Sequence, residues 1–127
     1  SGEDVSFTVG LSDRKLNFDH QIVVYEVVLR NVGGGYDSNS GIFTSPAAGT
    51  YVFTWNSMTY NGNCRIFVYK NGQRFDVPAY SRGLNNENIE SVTIVESLLK
   101  GDRVWVQTDK CSELYGGSYT YFTGFKI

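Results

Sequence analysis

The chain is short of the residues that carry most enzyme chemistry. It has one histidine, His20, and two cysteines, Cys64 and Cys111. A zinc site or a Ser-His-Asp triad needs histidine in a definable context, and a single loop histidine does not provide one. Neither a Gly-x-Ser-x-Gly elbow nor a His-Glu-x-x-His pair is present. Gly33-Gly34-Gly35 has no Gly-Lys-Ser/Thr after it and no helix start, so it reads as a flexible turn. The carboxylates Glu87, Glu90, Asp102, Asp109 and Glu113 are scattered rather than paired. Together these gaps point away from an enzyme. No apolar run approaches the ~18 residues of a membrane-spanning helix. Net charge is −2, from 11 basic and 13 acidic residues. That balance leaves no electrostatic footprint for nucleic acid and no basic run for an anionic membrane. Asn-x-Ser/Thr sites are absent, and with them N-glycosylation.

Aromatics and glycines are plentiful: nine Tyr, eight Phe, two Trp and fourteen Gly, against two Pro. That mixture suits an all-β domain of short strands and glycine turns. A length of 127 residues suits one domain, 1–127, able to bury a core of its own. Val5 to Leu11 alternates and predicts a first strand, with a short piece at Leu16 to Phe18. Ile22 to Val32 reads as a strand of mixed pattern, and Asn31 to Ser45 as a long loop. Tyr51, Phe53 and Trp55, spaced by two, place three large rings on one face of a strand from Gly49 to Tyr60. A strand over Cys64 to Tyr69 follows, then Asn71-Gly72, a strong hairpin signal. The returning strand, Arg74 to Tyr80, is interrupted by Pro78, which marks a sheet edge. Asn88 to Lys100 has helical spacing at Ile89, Val92, Val95 and Leu99 with Asn88 as a cap. Its Val92-Thr93-Ile94-Val95 run, costly in a helix, predicts a strand. Arg103 to Thr108 and Tyr119 to Ile127 complete an antiparallel, two-sheet jelly-roll sandwich.

The segment from Tyr25 to Trp55, through Asn31, Tyr36, Phe43, Gly49, Tyr51 and Phe53, resembles the signature of the C1q globular-head family, the C1q/TNF-like jelly rolls. Tyr25 and Trp55 stand where the family usually has Phe and Phe or Tyr, and both keep a ring. Leu99-Lys100-Gly101-Asp102-Arg103-Val104-Trp105-Val106 looks like the family's Gly-Asp turn into its penultimate strand. Tyr121 to Ile127 looks like its closing strand. With the first strand running up, the loops Leu11–His20, Tyr60–Asn63, Tyr80–Asn88 and Asp109–Ser118 share one end of such a sandwich. Cys64 and Cys111 then meet on neighbouring antiparallel strands, and a disulfide is expected in place of two free thiols. It would stabilise by roughly 3–4 kcal/mol.

The resemblance implies a secreted, extracellular recognition protein: a multivalent homotrimer that binds carbohydrates or microbial surfaces in innate immunity. Its alternatives are a trimeric signalling or assembly ligand for a protein receptor, and a structural or storage protein of an extracellular fluid. The family trimer packs through an outer sheet face, here the side chains of Tyr51 to Tyr60 and Tyr119 to Phe125 that point away from the core. A lectin-like site needs shallow polar loops with rings to stack on sugars and planar groups to pair with hydroxyls. The shared loop end offers Tyr60, Asn61, Arg65, Arg82, Asn85, Asn86, Glu87 and Tyr115 for it. Family calcium sites use Asp residues in the loop matching Tyr80 to Glu90. The corresponding positions fall near Tyr80 and Asn88, neither a carboxylate, so no cofactor is expected, calcium being the open alternative.

Overall fold

The computed structural model describes residues 4–117 and 119–127, so Ser118, the last residue of the expected Asp109–Ser118 loop, lies outside the described residues. The strands are β1 (Ser6–Gly10), β2 (Lys15–Leu16), β3 (Val27–Val32), β4 (Tyr36–Asp37), β5 (Ile42–Thr44), β6 (Gly49–Lys70), β7 (Gln73–Arg74), β8 (Ala79–Leu98), β9 (Arg103–Cys111), β10 (Glu113–Leu114) and β11 (Tyr121–Lys126). The described residues contain no helix. Hydrogen bonding runs in the order β3-β1-β11-β6-β9-β5-β4, with β7 and β8 also on β6, while β10 and β2 form a separate pair.

The two layers of the sandwich share β6. Its first half pairs with β11 along one edge, Phe122 opposite Trp55 and Gly124 opposite Phe53. Its second half pairs with β9 on that edge, Val68 opposite Val106. Along the other edge β8 follows β6 through both layers, from Gly49 opposite Leu98 to Ile66 opposite Ala79, with one register shift between Thr59 and Asn61. The residues read as two strands joined by a loop at Tyr60–Asn63 are thus one strand that bends from one sheet into the other. Of the Asn88–Lys100 segment, all but Leu99 and Lys100 is strand, as its β-branched run demands. The expected Tyr80–Asn88 loop is itself strand, its extra residues absorbed at the register shift.

Between the layers lies an aromatic core. Phe7 stacks on Phe43 of the opposite layer with centroids 4.8 Å apart and meets Phe122 edge-on at 4.9 Å. Tyr51, Phe53 and Trp55 are all buried, as the period-two spacing requires. Glycine is required at Gly124, because a Cβ there would come within 2.5 Å of the Phe7 ring and 2.8 Å of Phe53. Asn71 (φ 51°) and Gly72 (φ 86°) form the two-residue turn that pairs Lys70 with Gln73. Both positive φ values match the strand twist of a tight hairpin. Pro78 falls in the break between β7 and β8.

The Asn31–Ser45 loop is more ordered than its composition suggests, for it contains β4 and β5. Side chains reinforce the short ladder of β4 on β5 and β5 on β9. The Tyr36 hydroxyl accepts the N–H of Tyr25 (3.0 Å) and donates to the Tyr25 carbonyl (2.7 Å). The Asn31 amide closes a ring on Tyr36, donating to its carbonyl and accepting its N–H. Burial raises both phenols above the ordinary tyrosine range, so Tyr36 stays neutral and keeps its proton to donate. Upstream, Ile22 to Glu26 does not form a strand. It is held by the Val23 N–H on the Val106 carbonyl and an isolated bridge from Ile22 to Gln107. Only Val27–Val32 forms a strand, pairing on β1 at the outer edge of its layer with one register shift between Thr8 and Val9.

Cys64 and Cys111 are directly opposite on β6 and β9 and form a disulfide across a sequence separation of 47. Replacing both by serine removes a cross-link from the unfolded chain. A loss of about 4 kcal/mol is expected in the chain-entropy model, read as a fall in the urea midpoint together with a steeper slope, since the uncross-linked unfolded chain exposes more surface.

Candidate functional site

The disulfide marks the end of the sandwich where the expected ligand-binding residues gather. Between Cys64 and Ile66 the register of β6 against β9 shifts by one residue. Thr108 and Cys111 both point inward, which leaves Asp109 and Lys110 together opposite Arg65. A bulge of this kind re-aims a side chain. Asp109 turns toward His20, 3.5 Å away, and Lys110 reaches the outer face. Across the other edge, Asn63 pairs with Arg82 and Arg65 with Tyr80. Alternation places these four on the same outward face.

Two shallow depressions result. One, about 260 Å³, is lined by Asn63, Arg65, Tyr80 and Lys110. The other, about 290 Å³, is lined by Asn61, Asn63, Arg82, Leu84 and Ser112 with the backbone of Gly62 and Gly83. Asn63 belongs to both, so they form one two-lobed groove. The guanidinium of Arg65 lies 4.5 Å over the Tyr80 ring, a cation–π contact that fixes its plane. Ser112 links the groove floor to β6: its hydroxyl accepts the Asn63 N–H at 3.0 Å.

The bend in β6 above the groove is held by a buried carboxylate. Glu113 is 6% exposed, and its Oε1 accepts the N–H of Tyr60 at 2.8 Å and of Asn61 at 2.6 Å. Of the eight expected ligand-binding residues, the groove brings together Asn61, Arg65 and Arg82. Tyr60 lies beside it, half exposed. Asn85 (φ 59°) and Asn86 shape the bulge in β8, where Asn86 Oδ1 accepts the Leu84 N–H; Glu87 is exposed on that bulge. Tyr115 sits apart. Its hydroxyl accepts from Arg14 at 3.2 Å, and its ring meets Tyr119 edge-on at 6.2 Å. Asn63, Tyr80, Lys110 and Ser112 were missed by sequence reasoning. The usable signal was alternation, Asn63/Arg65 on one strand and Tyr80/Arg82 on another, but it needs the register to become a site. Among the described residues no three His, Cys, Asp or Glu side chains gather as metal ligands would.

A second surface covers the outer face of the β3-β1-β11-β6 layer. Val95, Val52, Phe125, Ser6 and Val32 form one row across the strands by register, and Thr93, Thr54, Thr123 and Thr8 form the next. Thr54 and Thr93 share a hydroxyl hydrogen bond of 2.8 Å. Phe125 is 48% exposed and Tyr121 44%. Apart from Arg30 at the edge, these rows hold no charge, which is unusual for a surface facing water.

Replacing Glu113 by alanine would leave the Tyr60 and Asn61 amides without their acceptor. The expected cost is about 1–3 kcal/mol. Amide hydrogen exchange at these two residues should accelerate more than at β1 or β11.

The C1q domain family profile matches residues 6–127. Complement C1q tumor necrosis factor-related protein 2 of Mus musculus is 29% identical over 110 residues, 83% of this chain and 37% of that protein. Complement C1q and tumor necrosis factor-related protein 9 of Mus musculus is 30% identical over 129 residues, 96% of this chain and 38% of that protein. The chain therefore spans a little over a third of the length of these relatives. Among solved structures, the globular domain of zebrafish complement 1qA superposes with a TM-score of 0.80 at 20% identity, covering 98% of both chains. That likeness shows the shared jelly-roll fold.

Proposed function

The chain belongs to the C1q domain family, and from that premise we propose that it is a secreted, trimeric recognition domain binding carbohydrates on cell or microbial surfaces in innate defence. The observation that carries this reading is the two-lobed groove of Asn61, Asn63, Arg65, Tyr80 and Arg82. Its planar amides and guanidinium groups suit paired hydrogen bonds to vicinal hydroxyls, and the Tyr80 ring adds an apolar wall. A shallow, open site binds one sugar weakly, so useful affinity requires several copies held together.

The uncharged outer face supplies the means. Val95, Val52, Phe125 and the threonine row would be buried against two further copies of the chain, in the family's mode of packing. Depletion of charge is the compositional mark of an interface core. The disulfide supports an extracellular setting, since such bonds persist in oxidising compartments. Among the described residues no helix is long and apolar enough to cross a membrane. No catalytic step is proposed for any residue, and calcium is assigned no ligands.

A second reading, a trimeric ligand for a protein receptor, is favoured by Leu84. It is 76% exposed at the rim of the groove, where an apolar contact suits a protein surface better than a sugar.

Native mass spectrometry at micromolar concentration is expected to give a trimer, and Phe125→Glu to give monomer. On a glycan array, run with calcium and again with chelator, the trimer should bind one sugar class saturably, and Phe125→Glu should lose most of that avidity. A blank array on confirmed trimer would transfer the proposal to the receptor reading. A wild-type monomer would remove the multivalent mechanism.

A further inference from the structure

The groove carries a charge pattern that its use as a general sugar site does not explain. In a protein of net charge −2, three cations converge on one outward face: Arg82 on β8, Arg65 on β6 and Lys110 on β9. The three ion pairs among the described residues are His20–Asp109, Lys70–Glu96 and Arg74–Asp76. None of them involves a groove cation. Four of the five nearby carboxylates have partners other than the groove cations. Asp109 faces His20, and Asp19 accepts the Cys111 N–H at 2.6 Å. Glu113 is buried on the Tyr60 and Asn61 amides, and Glu90 accepts from the Asn88 side chain at 3.3 Å. Glu87 is exposed on the β8 bulge.

The placement of the cations suits a chain of anions better than a single ion. Lys110 and Arg82 stand on strands separated by β6, roughly 10 Å apart at the usual strand spacing, with Arg65 between them. The groove is open and has two lobes meeting at Asn63, so it offers no enclosed pocket in which one small anion would be desolvated. The Arg65 plane is set by Tyr80, which leaves its edge N–H groups to fork onto a sulfate or carboxylate. Lys110 is on this face only because of the β9 bulge beside the disulfide, and that cross-link holds the bulge in register. The strand positions that carry the cations are thus fixed before binding, and the Arg65 guanidinium is held on Tyr80, which lowers the ordering cost of engaging an extended ligand. Asn61, Asn63 and Ser112 alternate with them as neutral partners for sugar hydroxyls.

We propose that the groove selects polyanionic glycan chains, bearing sulfate or uronate groups, which cross β8, β6 and β9 and are held by Arg82, Arg65 and Lys110. The proposal rests on the carbohydrate reading above and narrows its ligand class. A small net charge and three cations on one side of a shallow groove fit a flexible polysaccharide better than a stiff duplex, whose binding draws on a broader basic surface.

The test is surface plasmon resonance on immobilised heparin, with desulfated heparin, neutral dextran and duplex DNA as soluble competitors. Arg65→Gln, Arg82→Gln and Lys110→Gln each exchange an exposed cation for a neutral side chain. Lys100→Gln, in the turn before β9 at the opposite end, removes the same charge elsewhere. An unchanged melting temperature for each variant confirms that the fold is intact. Wild type should bind heparin with an affinity that falls steeply with salt. Each groove variant should weaken it roughly tenfold, the triple variant should abolish it, and Lys100→Gln should leave it unchanged. Competition by desulfated heparin would assign the contacts to carboxylates, and its failure to compete would assign them to sulfates; either supports the proposal. Equal losses from Lys100→Gln and the groove variants would overturn it, as would wild-type binding by the triple variant or competition by DNA as strong as by heparin. Binding of neutral sugars on the array with none to heparin would overturn this inference and leave the carbohydrate reading standing. Absence of binding to every glycan would overturn both.

Discussion

The indole N–H of Trp55 donates to the carbonyl of Ile66 at 2.9 Å. Both residues are on β6, eleven positions apart, yet they belong to opposite layers of the sandwich. A strand that serves two sheets must bend, and a bend exposes backbone groups that neither ladder satisfies. Trp55, with no exposed surface, bridges the bend from inside. Around it, Ser57 donates to the Cys64 carbonyl at 3.1 Å and shares a hydrogen bond of 2.6 Å with Ser81. Asn56 reaches β11, accepting the Tyr121 N–H and donating to the Tyr119 carbonyl. These buried polar side chains are stabilising because each has a partner. Without partners each would cost on the order of 1–3 kcal/mol.

A second irregularity, in the pairing of β6 with β9 just beyond the bend, sets the geometry of the surface. The carbonyl taken by Trp55 belongs to Ile66, at the end of the register shift that forms the β9 bulge. One local irregularity therefore has an inner and an outer consequence. Inside, it accompanies the Cys64–Cys111 bond. Outside, it brings Lys110 level with Arg65 and completes the groove. The candidate site is made of strand residues on a cross-linked sheet, with loops only at its rim. Rigid placement of this kind suits weak, repeated contacts whose strength comes from copy number. The uncharged threonine and apolar rows lie on the other layer, so the proposed assembly through them would leave the groove open to solvent.

Much of the fold was legible in the sequence because its signals are local. Period-two rings at Tyr51, Phe53 and Trp55 give a buried strand face whatever the topology. Asn71-Gly72 specifies a turn through its own backbone preferences, and the β-branched run from Val92 to Val95 decides strand over helix. The continuity of β6 through Tyr60, Asn61 and Gly62 was not legible, since that stretch has the composition of a turn. Its strand character comes from pairing with β8 and from the Glu113 carboxylate, 52 residues away. Likewise β4 and β5 depend on pairing with β9, about sixty residues on, and on the Tyr36 hydroxyl and Asn31 amide meeting backbone within the segment. For the site, Asn61, Arg65 and Arg82 were legible as polar residues near one end. Tyr80 and Lys110 were not, because cross-strand register and a one-residue bulge decide which side chains share a face. Tyr115 was grouped with the site by loop proximity, and its contacts with Arg14 and Tyr119 hold it elsewhere.

The shared strand can be tested through its indole. Of the two tryptophans, Trp55 is fully buried, whereas Trp105 is partly exposed and donates its indole N–H to Gln107 on its own strand at 3.0 Å. Hydrogen exchange of the two indole N–H groups, followed by NMR under native conditions, separates them. One should exchange only through global unfolding, with a free energy equal to that from denaturant titration, and the other far faster. If both indoles exchange fast while the amides of β6 remain protected, the two layers part without unfolding, and Trp55 does not hold the bend.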